Sequence, residues 1–300
     1  MAQSRPAVVG VIGGSGLYDL ASASGALPER VRSPFGEPSA ELRRGVLGGV
    51  EVVFLPRHGR GHVLPPADVN YRANLDALKR VGVSDVLSIS ACGSLREDLP
   101  PGTFVIVDQF VDRTSRGGRS FFGPGLVAHA SLADPVCARL GDVLEAEARE
   151  AGISVVRGGT YLAMEGPQFS TRAESRLFQS WGCAVIGMTN LTEARLAREA
   201  ELCYATVAMV TDYDCWHDDQ DSVSVEEIVR VLTENADAAA GLVERVVPRL
   251  AEHPEACPRG CDRALENAII TAPDARDPEM VAKLDAVAGR VLGGAGRRRR

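Results

Sequence analysis

Hydrophobic positions along the chain alternate between two rhythms. Short runs rich in β-branched residues, at 7–12, 50–55, 85–90, 104–110, 154–164, 184–188 and 205–211, read as strands. Between them, apolar residues recur at helical spacing. Asp68 before 69–81 and Gly82 after it predict a capped helix, and Asp134-Pro135 opens a second that reaches Ala151 ahead of Gly152. Segments 192–201 and 224–250 complete the helical set. Strand and helix alternating in this way predict an α/β fold, a single domain with a central mixed β-sheet flanked by helices. Neither an internal repeat nor a linker rich in Pro, Gly or Ser divides the chain. After Pro273, the positions Met280, Val281, Leu284, Val287, Val291 and Leu292 predict one more helix. The main domain is therefore placed at 1–275, with a C-terminal helix and basic tail at 276–300.

Composition narrows the function classes. With 300 residues and 45% hydrophobic content the chain can bury a substantial core. A formal charge of −7 leaves no broad basic surface for nucleic acid, and the one basic run, Arg297 to Arg300, reads as a solvated terminus. The apolar stretch 7–12 is too short for a signal-peptide core, and no segment approaches the roughly 20 apolar residues of a membrane span, so a cytoplasmic protein with no membrane partner is expected. Seven cysteines, an odd number in apolar contexts, read as reduced core residues. Cys257-Pro-Arg-Gly-Cys261 has the spacing of a local disulfide or half a zinc site, but no second Cys/His pair with ligand spacing follows it. No metal is expected on that ground, and stoichiometric zinc in the purified protein would contradict it.

Three strand ends carry anion chemistry. VVGVIGGSGLYDL, 8–20, runs a strand into a glycine turn, but Asp19 stands where a dinucleotide fingerprint needs its third glycine, and no Gly-Lys-Ser/Thr follows for a P-loop. What remains is either a plain structural turn or one whose N–H groups and Ser15 hydroxyl cradle a small anion. PRHGRGHVLPP, 56–66, packs Arg57, His58, Arg60 and His62 into six positions at a strand end, where Arg offers a planar fork and His a donor. SISACGSLRED, 88–98, ends a third strand with the Ser90 hydroxyl and the N–H groups after it.

Together with VNYRANLDALK, VDQFVDRT, MEGPQFSTRAE, VIGMTNLTEARLARE and ATVAMVTDYDCW, these stretches resemble the 5'-methylthioadenosine phosphorylases, a branch of the trimeric purine nucleoside phosphorylase family. The resemblance runs from about Val11 to Pro248. It implies an enzyme of the pentosyltransferase class that needs no metal or organic cofactor and works as a homotrimer on a small nucleoside and inorganic phosphate. By resemblance, phosphate is held by Ser15, Arg57, His58, Ser90, the Ala91 backbone and Thr189, with His62 further out. Met188 lies along the ribose, Phe169 packs on the purine and Ser170 stands near it. Gly187 replaces an amide side chain that some members carry just before this methionine. The family pocket for the 5' group corresponds to Val225, Ile228 and Val229, whose i, i+3, i+4 spacing equally fits the core face of a long helix. His129 matches a residue that a neighbouring subunit lends.

Asp212 and Asp214 in TDYDCW sit at i and i+2, so on an extended segment both address one face. A carboxylic acid can donate to N7 of a 6-aminopurine and accept from its N6, whereas the related 6-oxopurine enzymes carry Asn at the position of Asp212. The resemblance therefore implies phosphorolysis of S-methyl-5'-thioadenosine to adenine and 5-methylthioribose 1-phosphate, in purine and methionine salvage. The alternatives are a purine nucleoside or methylthioinosine phosphorylase acting on 6-oxopurines, a hydrolytic nucleosidase, a nucleotide-binding or adenine-sensing module without turnover, and a Rossmann dehydrogenase.

Overall fold

A computed structural model describes residues 4–14, 25–217, 225–254 and 256–293. Its centre is an 11-stranded mixed sheet built from β2 (Val8–Gly13), β3 (Leu27–Glu29), β4 (Leu42–Leu47), β5 (Val50–Pro56), β6 (Asp85–Ser94), β7 (Phe104–Ile106), β8 (Gln109–Arg113), β9 (Val155–Arg157), β10 (Thr160–Met164), β11 (Val185–Gly187) and β12 (Cys203–Tyr213). A separate antiparallel pair joins β1 (Ser4–Pro6) to β13 (Glu252–Pro254). The predicted α/β class holds.

Val9, Val11, Val52, Leu87, Ile89 and Val207 are buried in one apolar cluster with Leu140, Leu144, Val243 and Val246. That cluster joins one face of the sheet to the helices Ala138–Glu150 and Val225–Arg249. On the other face Ile12, Val53 and Val86 pack with Leu75, Leu78, Leu196 and Ala197, from the helices Tyr71–Arg80 and Asn190–Glu199. Both faces of the sheet are thus covered, as its nearly unbroken apolar strands require.

Several elements depart from their predicted bounds for local reasons. Asn70 rather than Asp68 caps the first helix, its Oδ1 accepting from Ala73 N at 3.1 Å. The runs 104–110 and 154–164 each break into two strands, because β7 and β9 pair beside β12 while β8 and β10 pair beyond β11. The helix Arg172–Ser180, absent from the prediction, starts with a capping box in which Thr171 and Glu174 satisfy each other's backbone N–H groups. At the C-terminus one predicted helix is two short ones, Pro278–Lys283 and Gly289–Leu292. Leu284, Val287 and Ala288 between and beside them are buried in the same cluster as Leu75, so 276–293 belongs to the main core. Arg297 to Arg300 lie outside the described residues. Among the described residues no helix is long and apolar enough to cross a membrane.

β6 is the hinge of the topology. Its first residues, 85–88, pair with β2, and its last, Gly93 and Ser94, pair with β11, while β12 runs along its other edge throughout. The two neighbours on the first edge diverge between these points. Residues 89–92 have a partner strand on one side only among the described residues, which opens a crevice where the strand order switches.

Candidate active site

That crevice is the mouth of a cavity of about 600 Å³, large enough for a nucleoside and an anion together. Ile89 to Gly93 of β6 form its floor, Gly14 and Arg57 come from the ends of β2 and β5, and Thr189 and Asp212 stand after β11 and on β12.

At one end, Arg57 is almost fully buried, at 1% exposure. Its Nε and Nη2 form a two-point pair with the Glu193 carboxylate, Nη2 also donates to Ser88 Oγ at 2.7 Å, and Nη1 donates to Ile89 O at 3.1 Å. Glu193 is held in turn by Ser88 Oγ at 2.7 Å and Tyr204 Oη at 3.0 Å. Burial alone would lower the Arg57 pKa; the Glu193 carboxylate and its hydrogen bond overcome that and raise it, so the guanidinium stays charged. Beside it, burial and the Arg57 charge lower His58 to a pKa of about 4. The neutral ring donates from Nδ1 to Leu64 O at 2.8 Å, which leaves Nε2 as an acceptor. Sequence reasoning gave His58 a donor role; its tautomer makes it an acceptor at neutral pH. His62 stacks on it with centroids 4.2 Å apart. Ser90, Ala91 and Thr189 line the same end, Thr189 at the N-terminus of the helix Asn190–Glu199, where backbone N–H groups and the helix dipole favour an anion.

The other end carries the two aspartates. A β-bulge lies between Val210 and Asp212, where β12 slips against β6. Strict alternation would send Thr211 and Asp212 to opposite faces; the bulge lets both line the cavity. Thr211 Oγ1 lies 2.6 Å from Asp212 Oδ1 and 3.2 Å from Cys92 O. Burial, aided by the charge of Asp214, raises the Asp212 pKa to about 6 against the pull of Thr211. Asp214 is buried, its backbone N–H bonded to Ser94 O at 2.9 Å and its Oδ2 accepting from Ser170 Oγ at 2.7 Å. Burial and Asp212 push the Cys92 thiol well up, so this cavity cysteine is no thiolate nucleophile.

Phe169 borders the cavity and is 83% exposed, its ring a flat apolar face available to a planar ligand. Met188 also lines the cavity. Next to it, a Cβ on Gly187 would collide with the Tyr161 hydroxyl, which explains why no side chain stands at 187. Gly187→Ala is expected to cost about 1–3 kcal/mol, read as a lowered Tm, and Tyr161→Phe in the same chain to recover part of it. Equal Tm values for Gly187→Ala and the parent would contradict this packing.

The phosphorylase superfamily, as a sequence family, matches residues 8–248. The chain belongs to that superfamily. Within it, the S-methyl-5'-thioadenosine phosphorylase of Bradyrhizobium diazoefficiens is 62% identical over 288 residues, covering 96% of this chain and 99% of the relative. A solved methylthioadenosine phosphorylase from an antarctic soil metagenomic library superposes with a TM-score of 0.87 at 42% identity, covering 94% of this chain and 99% of that one. The methylthioadenosine phosphorylase of Schistosoma mansoni, solved in complex with tubercidin, gives a TM-score of 0.76 at 37% identity, with 81% and 92% covered.

On this phosphorylase fold the cavity gathers Arg57, His58, Ser90, Ala91, Phe169, Met188, Thr189, Asp212 and Asp214, while Ser170 touches Asp214 from outside the lining. Ser15 lies outside the described residues. Val225, Ile228 and Val229 fall in the helix Val225–Arg249, which lends Leu232, Ala236 and Ala239 to the cavity; the three side chains themselves lie outside the described residues. His129 is exposed and not part of this chain's own cavity lining. Sequence reasoning passed over Glu193, Ser88 and Thr211. Glu193 had a readable signal, an acidic residue on the inward face of an amphipathic helix; Ser88 and Thr211 had none beyond their strands.

Proposed function

We propose that the chain catalyses phosphorolysis of S-methyl-5'-thioadenosine, giving adenine and 5-methylthioribose 1-phosphate. The observation that carries this reading is the division of one cavity into an anion end around Arg57 and a base end around Asp212 and Asp214. Of the five Arg57 N–H groups, four go to protein acceptors, and the fifth, on Nη1, is left for a phosphate oxygen. Ser15, Ser90, the Ala91 N–H at the open edge of β6 and Thr189 supply further donors, and His58 accepts from a protonated phosphate oxygen. Because Glu193 neutralises Arg57, the nucleophile is positioned without its charge being quenched.

A phosphate oxygen attacks C1′ as the C1′–N9 bond breaks and its electron pair passes to the purine. The Asp212 carboxyl delivers its proton to N7, and the resulting carboxylate is reprotonated from water after adenine leaves. Asp214, oriented by Ser170, accepts from the 6-amino group. Val225, Ile228 and Val229 surround the methylthio group; such an apolar contact is worth about 1–3 kcal/mol, so adenosine is a slower substrate. The seven reduced thiols suit a cytoplasmic enzyme. Three copies form a homotrimer, with His129 of each reaching a neighbour's cavity.

The base-end reading is tested by kcat/KM for methylthioadenosine against methylthioinosine, with 7-deaza-methylthioadenosine as a third substrate. The 6-amino compound is expected to lead by about 10²-fold or more, and the 7-deaza compound to bind without being cleaved, since it has no N7 to protonate. Preference for methylthioinosine, or turnover of the 7-deaza analogue, would overturn the role of Asp212.

A further inference from the structure

Away from the cavity, four cysteines converge. Cys137, at the N-terminus of the helix Ala138–Glu150, and Cys203, the first residue of β12, meet Cys257 and Cys261 from the C-terminal segment. Their four Sγ atoms all lie within 4.8 Å of one another, and Cys137 and Cys257 are 3.8 Å apart. A tetrahedral zinc with Zn–S bonds of about 2.3 Å places its sulfurs about 3.8 Å apart. All four residues are at most 5% exposed, and they lie in an apolar cluster with Leu140 and Leu250.

From this arrangement we infer that the chain holds one zinc ion in a tetrathiolate site formed by Cys137, Cys203, Cys257 and Cys261. The surroundings are those of thiolates rather than of disulfides. Cys137 stands at the N-cap of the helix Ala138–Glu150, with the helix's first N–H groups beside it. The Arg139 guanidinium is held by its ion pair to Asp85, the register partner of Cys203 on β6. A helix N-terminus and a neighbouring arginine offset part of the double negative charge of four thiolates on one divalent ion; a disulfide has no use for them. Gly260, at φ 68°, makes the left-handed turn that brings Cys261 back beside Cys257, with its N–H bonded to Cys257 O at 2.8 Å. Binding releases the four thiol protons to solvent, and no electron transfer is involved.

The sequence expectation of no metal rested on the lack of a second ligand pair near Cys257 and Cys261. The fold supplies that pair from 54 residues upstream of Cys257 at Cys203, and from Cys137 before it. Tetrathiolate chemistry at a closed position is structural. The site pins the segment beyond the family match, which ends at 248, to the strand that carries Asp212 and to the helix behind it.

The test is elemental analysis of the full chain purified without chelator, combined with alkylation in denaturant without reductant. About one zinc per chain and all seven cysteines alkylated are expected. Replacing the zinc with Co²⁺ should give the intense absorption of tetrahedral thiolate cobalt. Cys261→Ser is expected to lose at least nine-tenths of the bound zinc, on the order of a tenfold fall, while Cys183→Ser, outside the cluster, retains it. Absence of zinc in the parent chain, iron in its place, or a disulfide within the four, which lowers the alkylation count by two, would each overturn the proposal. The parent measurement stands even if the Cys261→Ser chain does not fold.

Discussion

Asp212→Asn is expected to make the chain more stable at pH 8 and nearly inactive on 6-aminopurine nucleosides. Asp212 titrates near 3.8 in the unfolded chain and near 6 when folded. Well below pH 3.8 the carboxyl is neutral in both states and burial costs it nothing. As pH rises the unfolded state ionises first, so stability is lost progressively until the folded group also ionises near pH 6. Above that the native state carries a penalty of about 1–3 kcal/mol, reduced from the full shift because the side chain is partly exposed. The amide removes the penalty but has no acid proton for N7, and the loss of a general acid lowers kcat by about 10²–10⁴-fold. Denaturant unfolding of both chains at pH 4 and pH 8, with kcat alongside, checks both arms. A stability difference independent of pH, or unchanged kcat, would contradict the protonation of Asp212.

A second large effect is expected at the anion end. Glu193→Gln leaves the Arg57 guanidinium buried without its carboxylate, which costs about 3–5 kcal/mol. Phosphate bound at Nη1 would take over part of the lost pairing, so added phosphate should raise the Tm of the variant more than that of the parent. Circular-dichroism melts with and without phosphate measure this directly. Equal shifts in the two chains would separate Arg57 from the phosphate site.

Much of this site was readable in the chain, and the reason is physical. Arg57 and His58 follow a β-branched run that ends β5, Asp212 stands near the end of β12, and Ser90 closes the β-branched run 85–90 at the point where β6 loses one of its neighbours, so the chemical groups sit where a sheet presents its ligands. The features that escaped depend on distances no local pattern records. The bulge at Thr211 arises from pairing with β6 and places two adjacent residues on one face. The tautomer of His58 is set by a carbonyl six residues on, at Leu64. The cysteine cluster joins positions from three elements and has a short spacing in only one of them. The capping box at Thr171 and Glu174 is different, since its T-x-x-E pattern stood in the sequence and was not used.

The central claim is phosphate-dependent cleavage of a 6-aminopurine thionucleoside in the Arg57–Asp212 cavity. It is tested most directly by incubating the purified chain with S-methyl-5'-thioadenosine, with and without inorganic phosphate, and following adenine and the sugar product by chromatography and phosphorus NMR. Adenine and 5-methylthioribose 1-phosphate appearing in equal amounts only when phosphate is present is the expected result. Adenine release at the same rate without phosphate, with free methylthioribose as the product, would contradict the account and make the chain a hydrolase.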